Sequence, residues 1–351
     1  MLLTPDGEVL VAASEPTVSG QPTSPGRGLE RGIARERTLQ RATFNPPGSV
    51  LKPFVAAYAL EHGVVDPSAT FPCVPEAGAS YGRYLSMRCT GLHWQPDLHA
   101  ALAGSCNCYF AQLGERMEPD ALLGMTALFG FGQPTGIRHL GTDGRSGLRE
   151  DWAFALSNEA LIEKLVDRGP RMQFTNGLGL IEATPMQIAR ATAGLLTGRL
   201  PEIRIARSIG GEPVEPRAED LRLREEVRRR VLDALVAVVE EDGGTANDKG
   251  LDARSLGFTF ACKTGSADYD DFSDGPDASE ADRRVAAEGK MRKHTWVAGW
   301  FPRVEPRAVL VVYLHDTSAT ASHGAVYVAG QFLRTKAVRD FVERGSREAA
   351  R

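Results

Sequence analysis

The stretch NPPGSVLKPFVAAYALEHG, residues 45–63, decides how the rest of the chain is read. From Ser49 its pattern turns helical, and it stops at Gly63 with His62 in the last turn. Pro53 fits such a helix only because it lies within the first turn or so, where N–H groups have no intrahelical partner. Residues i and i+3 share a helix face, so Lys52 can set its amine beside the Ser49 hydroxyl. A serine hydroxyl is a poor nucleophile until a neighbouring base takes its proton. A lysine can be that base near neutral pH only if desolvation or another cation lowers its pKa. Preceded by Pro46-Pro47-Gly48, Ser49 sits at a helix N-terminus, where backbone N–H groups and the helix dipole favour developing negative charge.

Two more constellations follow downstream, Ser105-Cys106-Asn107 and Lys263-Thr264-Gly265-Ser266. Each is weak alone: chance would supply an S-x-x-K roughly 0.4 times, an S-x-N roughly 0.3 times and a K-T-G about 0.04 times in such a chain. All three together fall to roughly 0.005, before order and spacing are required. The chain prefers arginine, with 34 Arg to 7 Lys, so lysines at two of the three places are hard to ascribe to composition.

With 351 residues, 42% hydrophobic and 25% charged, the chain has material for one or two cores. A formal charge of -4 argues against a general nucleic-acid binder, whose footprint is strongly basic. No run of eighteen apolar residues exists, and MLLTPDGEVLVAAS lacks the basic start of a signal peptide. The five cysteines are an odd count and too few for a disulfide scaffold. Cys106 and Cys108 read as buried small residues. Cys73, Cys89 and His93 can be grouped as metal ligands but show no clear four-ligand spacing, so no metal is assigned.

The opening residues read as a hairpin around Pro5-Asp6-Gly7, and 15–32 as a surface loop. A Gly/Pro/Ser-rich loop is expected up to Gln95, then helices over 97–118, 119–130 and 184–197, with Leu98, Leu102, Phe110 and Leu113 on one face. Residues 219–244 form the clearest amphipathic helix, with Leu223, Val227, Val231, Leu235 and Val238 in register and a Gly-Gly stop. Strands are expected at 257–262, 295–301 and 309–314, and a last helix over 326–343. The acidic stretch 268–284 reads as a solvated insertion, with a substrate-edge lid as the alternative. His294 and Trp296 read as wall packing, and His93 and His99 as structural or exposed. Strands at both ends with helices between suggest a sheet assembled from distant segments around an inserted helical lobe.

The order S-x-x-K, S-x-N, K-T-G-[ST], with the flank PPGS-x-x-KP, resembles the transpeptidase domains of penicillin-binding proteins, closest to the monofunctional class B enzymes. PDGEVLVAAS, DLHAALAGSCNCYFAQLGERM, TNGLGLIEATPMQIARATAGLL and HTWVAGWFP resemble family segments too, so the likeness spans nearly the whole chain. It implies an α+β fold of the β-lactamase/transpeptidase kind, a mainly antiparallel sheet covered by helices plus an all-helical lobe. The sheet lobe would take 1–48 and 205–351, and the helical lobe 49–204. By the same resemblance Ser49 attacks a D-Ala-D-Ala carbonyl with Lys52 as base, and Ser105 passes a proton to the leaving group. Asn107 binds a substrate amide, Lys263 supplies positive charge, and Thr264 and Ser266 hold the substrate carboxylate. Gly265 keeps the strand open to close approach. The oxyanion hole would be the N–H groups of Ser49 and Ser266.

No cofactor or metal is implied for this chemistry. The implied substrates are peptidoglycan stem peptides, with β-lactams as inhibitors, on the extracytoplasmic face of the plasma membrane or in the periplasm. Class B members carry a membrane helix and a pedestal domain before the catalytic domain. This sequence starts at its first strand, so the expectation is either a fragment or alternative gene start, or a domain anchored by a partner such as a membrane-anchored cell-wall complex with a glycosyltransferase. Some relatives also match Cys73 and Cys89, and in an oxidising compartment such a pair can form a disulfide. A D,D-carboxypeptidase differs only in that water attacks the acyl-enzyme. A serine β-lactamase of the common type needs a deacylating glutamate in an E-x-x-L-N segment, which the sequence lacks. From another class, the domain could only bind, as a β-lactam sensor or scaffold.

Overall fold

The computed structural model describes residues 1–14, 45–75, 79–137, 154, 156–268, 292–318 and 324–349. The surface loop expected at 15–32 lies outside these residues, as does the insertion at 268–284 beyond Asp268. In chain order the elements are β1 (Leu2–Leu3), β2 (Val9–Val11), a 3₁₀ turn Gly48–Leu51, α1 (Lys52–Glu61), β3 (Val74–Pro75), β4 (Gly82–Tyr84) and β5 (Met87–Arg88). The helices α2 (Leu98–Ala103), α3 (Asn107–Arg116), α4 (Pro119–Leu128), α5 (Asn158–Leu165), α6 (Arg168–Thr175) and α7 (Pro185–Thr197) follow. Then come β6 (Arg199–Pro201), β7 (Ser208–Ile209), β8 (Glu212–Pro213), β9 (Ala218–Asp220), α8 (Glu225–Glu240) and α9 (Ala253–Leu256). The chain closes with β10 (Ala261–Asp268), β11 (Arg292–Phe301), β12 (Ala308–Ser318), α10 (Ala325–Leu333) and α11 (Lys336–Ala349).

The main sheet is antiparallel in the order β10-β11-β12-β1-β2, so Leu2 pairs with Leu310, at the far end of the chain. The expected hairpin forms it at one end: β1 pairs with β2 and, on its other side, with β12 through Leu2↔Leu310. Along β11 Trp296, Val297, Ala298 and Trp300 are all buried, the mark of a strand covered on both faces. The helices α7 and α8 lie against β12 and β10, and α10 against β11 and β12.

Local chemistry places the helix ends. Thr184 and Gln187 form a reciprocal capping box on α7, Pro185 opens it, and Gly198 closes it in the left-handed region. In α8 Val227, Val231, Leu235 and Val238 are buried as expected, but the helix starts at Glu225 rather than at 219. Residues 218–220 instead pair with β6, and Arg222, at φ 53°, turns the chain into the helix.

The expected 97–118 helix is two helices. Asp97 caps α2 through Ala100 N–H, Ser105 turns the chain at φ 57°, and Cys106 restarts it by capping α3 through Tyr109 N–H. Leu98, Leu102, Phe110 and Leu113 are buried together nonetheless. The expected loop before Gln95 holds the small sheet β3-β4-β5, and α5 and α6 are helices without a sequence expectation. The strand expected at 257–262 runs later, at Ala261–Asp268, after the αL residue Gly257. The last helix is divided into α10 and α11.

Candidate active site

The turn Gly48–Leu51, which carries Ser49, is wedged between two other segments. Ser49 is half-buried in the 3₁₀ turn Gly48–Leu51, which feeds directly into α1 at Lys52. Side chains at i and i+3 eclipse in a 3₁₀ turn, so the Ser49–Lys52 spacing aligns them more closely than an α-turn would. Gly48 has φ 55°, and a Cβ there would meet the Ser266 carbonyl oxygen at 2.6 Å. Gly177 closes the other side: its carbonyl accepts from Gly48 N–H at 2.8 Å, and a Cβ on it would overlap the Gly48 oxygen. Trp296, fully buried, donates its indole N–H to the Pro46 carbonyl at 3.0 Å. His294 and Trp296 are thus the wall expected of them, both stacked with Tyr313.

The Lys52 amine is fully buried and points at the second motif. It donates to the Ser105 carbonyl at 2.9 Å and to Asn107 Oδ1 at 2.7 Å, with Ser105 Oγ at 3.5 Å. Burial lowers its pKa to about 8, against a smaller opposing pull from Cys89 and its neighbours. Once it has lost a proton, the amine can keep both of these N–H bonds and still offer a lone pair to a hydroxyl proton. Asn107 is held in turn: its Nδ2 donates to the Arg88 carbonyl at 3.0 Å, and its own carbonyl accepts from Asn176 Nδ2 at 3.3 Å. The sequence reading did not single out Arg88 or Asn176. Their only sequence signal was the TNGLG segment around Asn176.

The third motif lies on β10, at the edge of the main sheet. Lys263 is buried, donates to the Thr264 carbonyl at 3.0 Å, and has its pKa pushed well below the usual lysine range by burial and then by the charge of Lys52. Thr264 and Gly265 are half-buried and Ser266 is exposed. A Cβ on Gly265 would stand 3.0 Å from Val50 N and 3.1 Å from the Pro47 carbonyl oxygen, so a larger residue would have to push the strand and the Gly48–Leu51 turn apart by a few tenths of an ångström. The structure therefore brings Ser49, Lys52, Ser105, Asn107, Lys263, Thr264, Gly265 and Ser266 to one junction between the turn, the start of α3 and the edge strand. A cavity of 430 Å³ beside Ile203, Ile209 and Arg217 holds none of them.

A second cluster lies directly behind Asn107. Cys73, Cys89, His93 and Cys106 place three thiol sulfurs and one imidazole nitrogen within 4.8 Å of one another. All five cysteines are free, so Cys73 and Cys89 are not joined as the family likeness allowed; both sulfurs face His93 Nδ1, at 3.5 and 3.3 Å. His93 Nε2 lies 3.0 Å from the Gly104 carbonyl and donates to it, which turns Nδ1 towards the sulfurs. Backbone N–H groups of Asn107 and Tyr109 donate to Cys89 and Cys106. Three sulfurs, one nitrogen and N–H bonds to the sulfurs fit a tetrahedral structural zinc. Cys106, the fourth member of the cluster, was not grouped with the other three in the sequence because it reads there as a buried small residue.

Comparisons with known proteins place the chain in a family. The family model "Penicillin binding protein transpeptidase domain" matches residues 2–335. Peptidoglycan D,D-transpeptidase MrdA of Haemophilus influenzae is 27% identical over 91% of this chain and 50% of its own. Peptidoglycan D,D-transpeptidase FtsI of Escherichia coli K12 is 28% identical over 93% of this chain and 48% of its own. The chain thus spans about half the length of these relatives. Among solved structures, penicillin-binding protein PBP2 of Helicobacter pylori in complex with MreC superposes with a TM-score of 0.69 at 21% identity, over 98% of this chain and 60% of that one. Pseudomonas aeruginosa PBP2 in complex with WCK 5153 does so at 0.67 and 23%, over 96% and 72%. The fold is the expected α+β transpeptidase fold, and the chain belongs to the penicillin-binding protein transpeptidase domain family.

Proposed function

We propose that this chain is a serine D,D-transpeptidase domain that joins peptidoglycan stem peptides through an acyl-enzyme. The observation that carries the reading is the desolvated Lys52 amine, three residues after Ser49 and held by the S-x-N motif. Ser49 Oγ attacks the D-Ala-D-Ala carbonyl while its proton passes to Lys52 Nζ. The oxyanion is received by the N–H groups of Ser49 and Ser266, which belong to segments in close contact. The C–N bond then breaks, and the leaving D-alanine nitrogen takes a proton by way of Ser105 Oγ. An acceptor amine attacks the ester, and Ser49 recovers its proton. Asn107 keeps a second Nδ2 proton for the substrate amide after serving Arg88. Thr264 and Ser266 bind the terminal carboxylate beside Lys263, and that anion favours the charged form of Lys263, which burial and the nearby Lys52 charge disfavour.

The proposal includes a division into a sheet lobe of 1–48 and 205–351 and a helical lobe of 49–204, with the site between them. The names of the relatives support an extracytoplasmic workplace. The solved PBP2–MreC complex supports a membrane-anchored cell-wall assembly as partner, with a glycosyltransferase as the expected supplier of glycan strands. No helix among the described residues is long and apolar enough to cross a membrane. A pentapeptide ending in D-Ala-D-Ala, incubated with an excess of a D-amino acid, tests the reaction by mass spectrometry. Exchange of the terminal D-alanine for the added amino acid is expected. Release of D-alanine without exchange would make the domain a carboxypeptidase, and no release in folded protein would leave only binding.

A further inference from the structure

The Gly243-Gly244 pair after α8 does more than end a helix. Gly243 lies at φ 85°, and a Cβ on Gly244 would stand 2.4 Å from the Ala237 carbonyl oxygen and 2.5 Å from that of Val238. Only glycine lets the chain fold back so closely over the helix end. The reversal brings Ala246 N–H to the Val238 carbonyl at 2.9 Å and Thr245 N–H to the Ala103 carbonyl at 3.1 Å. Ala103 ends α2, two residues before Ser105. The other end of Thr245 reaches the edge strand, with its Oγ1 2.6 Å from Thr264 Oγ1. One half-buried residue therefore ties the S-x-N segment to the K-T-G strand.

Each of these hydroxyls owns one proton. If Thr264 gave its proton to Thr245, it would present only lone pairs to a carboxylate, which repels them. If Thr245 is the donor, the Thr264 proton is free to point at the anion, and a hydroxyl that already accepts a hydrogen bond is a better donor. We propose that Thr245 is a positioning residue for the carboxylate subsite: its hydroxyl donates to Thr264 Oγ1 and commits the Thr264 proton to an anionic carboxylate on the substrate. The inference rests on the acyl-transfer reading above and sharpens it, since it makes recognition of a free carboxylate depend on a residue outside the three motifs.

The test compares acylation of Ser49 by benzylpenicillin with acylation by its methyl ester, which keeps the reactive ring but has no anionic carboxylate. The quantity read is the ratio of the two second-order rate constants. Thr245→Val is expected to lower that ratio about tenfold, as loss of one bond in a charge-assisted chain would. Thr245→Ser restores the hydroxyl and is expected to restore the ratio. A ratio unchanged in Thr245→Val would overturn the proposal, whether both rates stay high or fall together as in a packing defect. Failure of the unsubstituted protein to acylate with either compound would remove the acyl-transfer reading itself, and this proposal with it.

Discussion

Lys52 gives up the hydration of an ammonium group, worth several kcal/mol, and has no carboxylate to offset the loss. It meets two oxygen acceptors instead, in a pocket where the pKa falls to about 8. A base of that pKa is mostly protonated at pH 7 and is released as the pH rises. The acylation rate is therefore expected to climb towards a plateau through about pH 8, nearly tenfold per unit on the acid side. Lys52→Ala should abolish that limb and slow acylation on the order of 10²–10⁴-fold, while melting temperature stays near the parent value. Stopped-flow acylation at a series of pH values checks both; an unchanged profile in Lys52→Ala would remove Lys52 as the base. At this scale the sequence was readable where the proposed reacting groups are neighbours in the chain, as Ser49 and Lys52 are. Thr245 and Arg88 were not readable, because what they do depends on contacts with residues 19 positions away in each case.

The break between α2 and α3 is the element on which both side-chain clusters turn. A continuous helix would carry Ser105 and Asn107 away from Lys52, whereas the left-handed turn at Ser105 aims its carbonyl back at the amine. The same turn places Cys106 beside Cys89 and His93, so the cysteine cluster braces the residues that position Asn107. Reduced protein is expected to take up about one zinc per chain, measured by native mass spectrometry, and to lose several degrees of melting temperature when the metal is chelated. Cys89→Ser should weaken that uptake sharply. Absence of zinc from reduced, folded protein supplied with the metal would contradict the assignment.

Elements with strong periodicity or capping, such as α7 and α8, were legible in the sequence. The short strands β3 to β5 and the polar helices α5 and α6 carry too little pattern to be told from loop. The K-T-G strand was displaced in the reading because the apolar run 257–262 looks like a buried strand, whereas β10 lies at a sheet edge and tolerates Lys263 to Ser266 in its middle.

In the whole molecule, the chain's two ends build the main sheet and its middle supplies Ser49 and the S-x-N helix, as strands at both ends with helices between suggested. Close contacts hold the parts together at the site: Gly48 against Ser266, Gly177 against Gly48, and the Trp296 indole on Pro46. No single segment contains the proposed reacting set. It exists only when the turn before α1, the start of α3 and β10 meet, and folding is thereby part of the chemistry. β10 stands at the edge of the main sheet among the described residues. The measurement that tests the account most directly is the intact mass of the folded protein after incubation with benzylpenicillin, beside Ser49→Ala. The account predicts a lasting adduct of one penicilloyl group on the parent protein and none on the variant. An adduct that persists in Ser49→Ala, or rapid destruction of the drug with no lasting adduct, would contradict it.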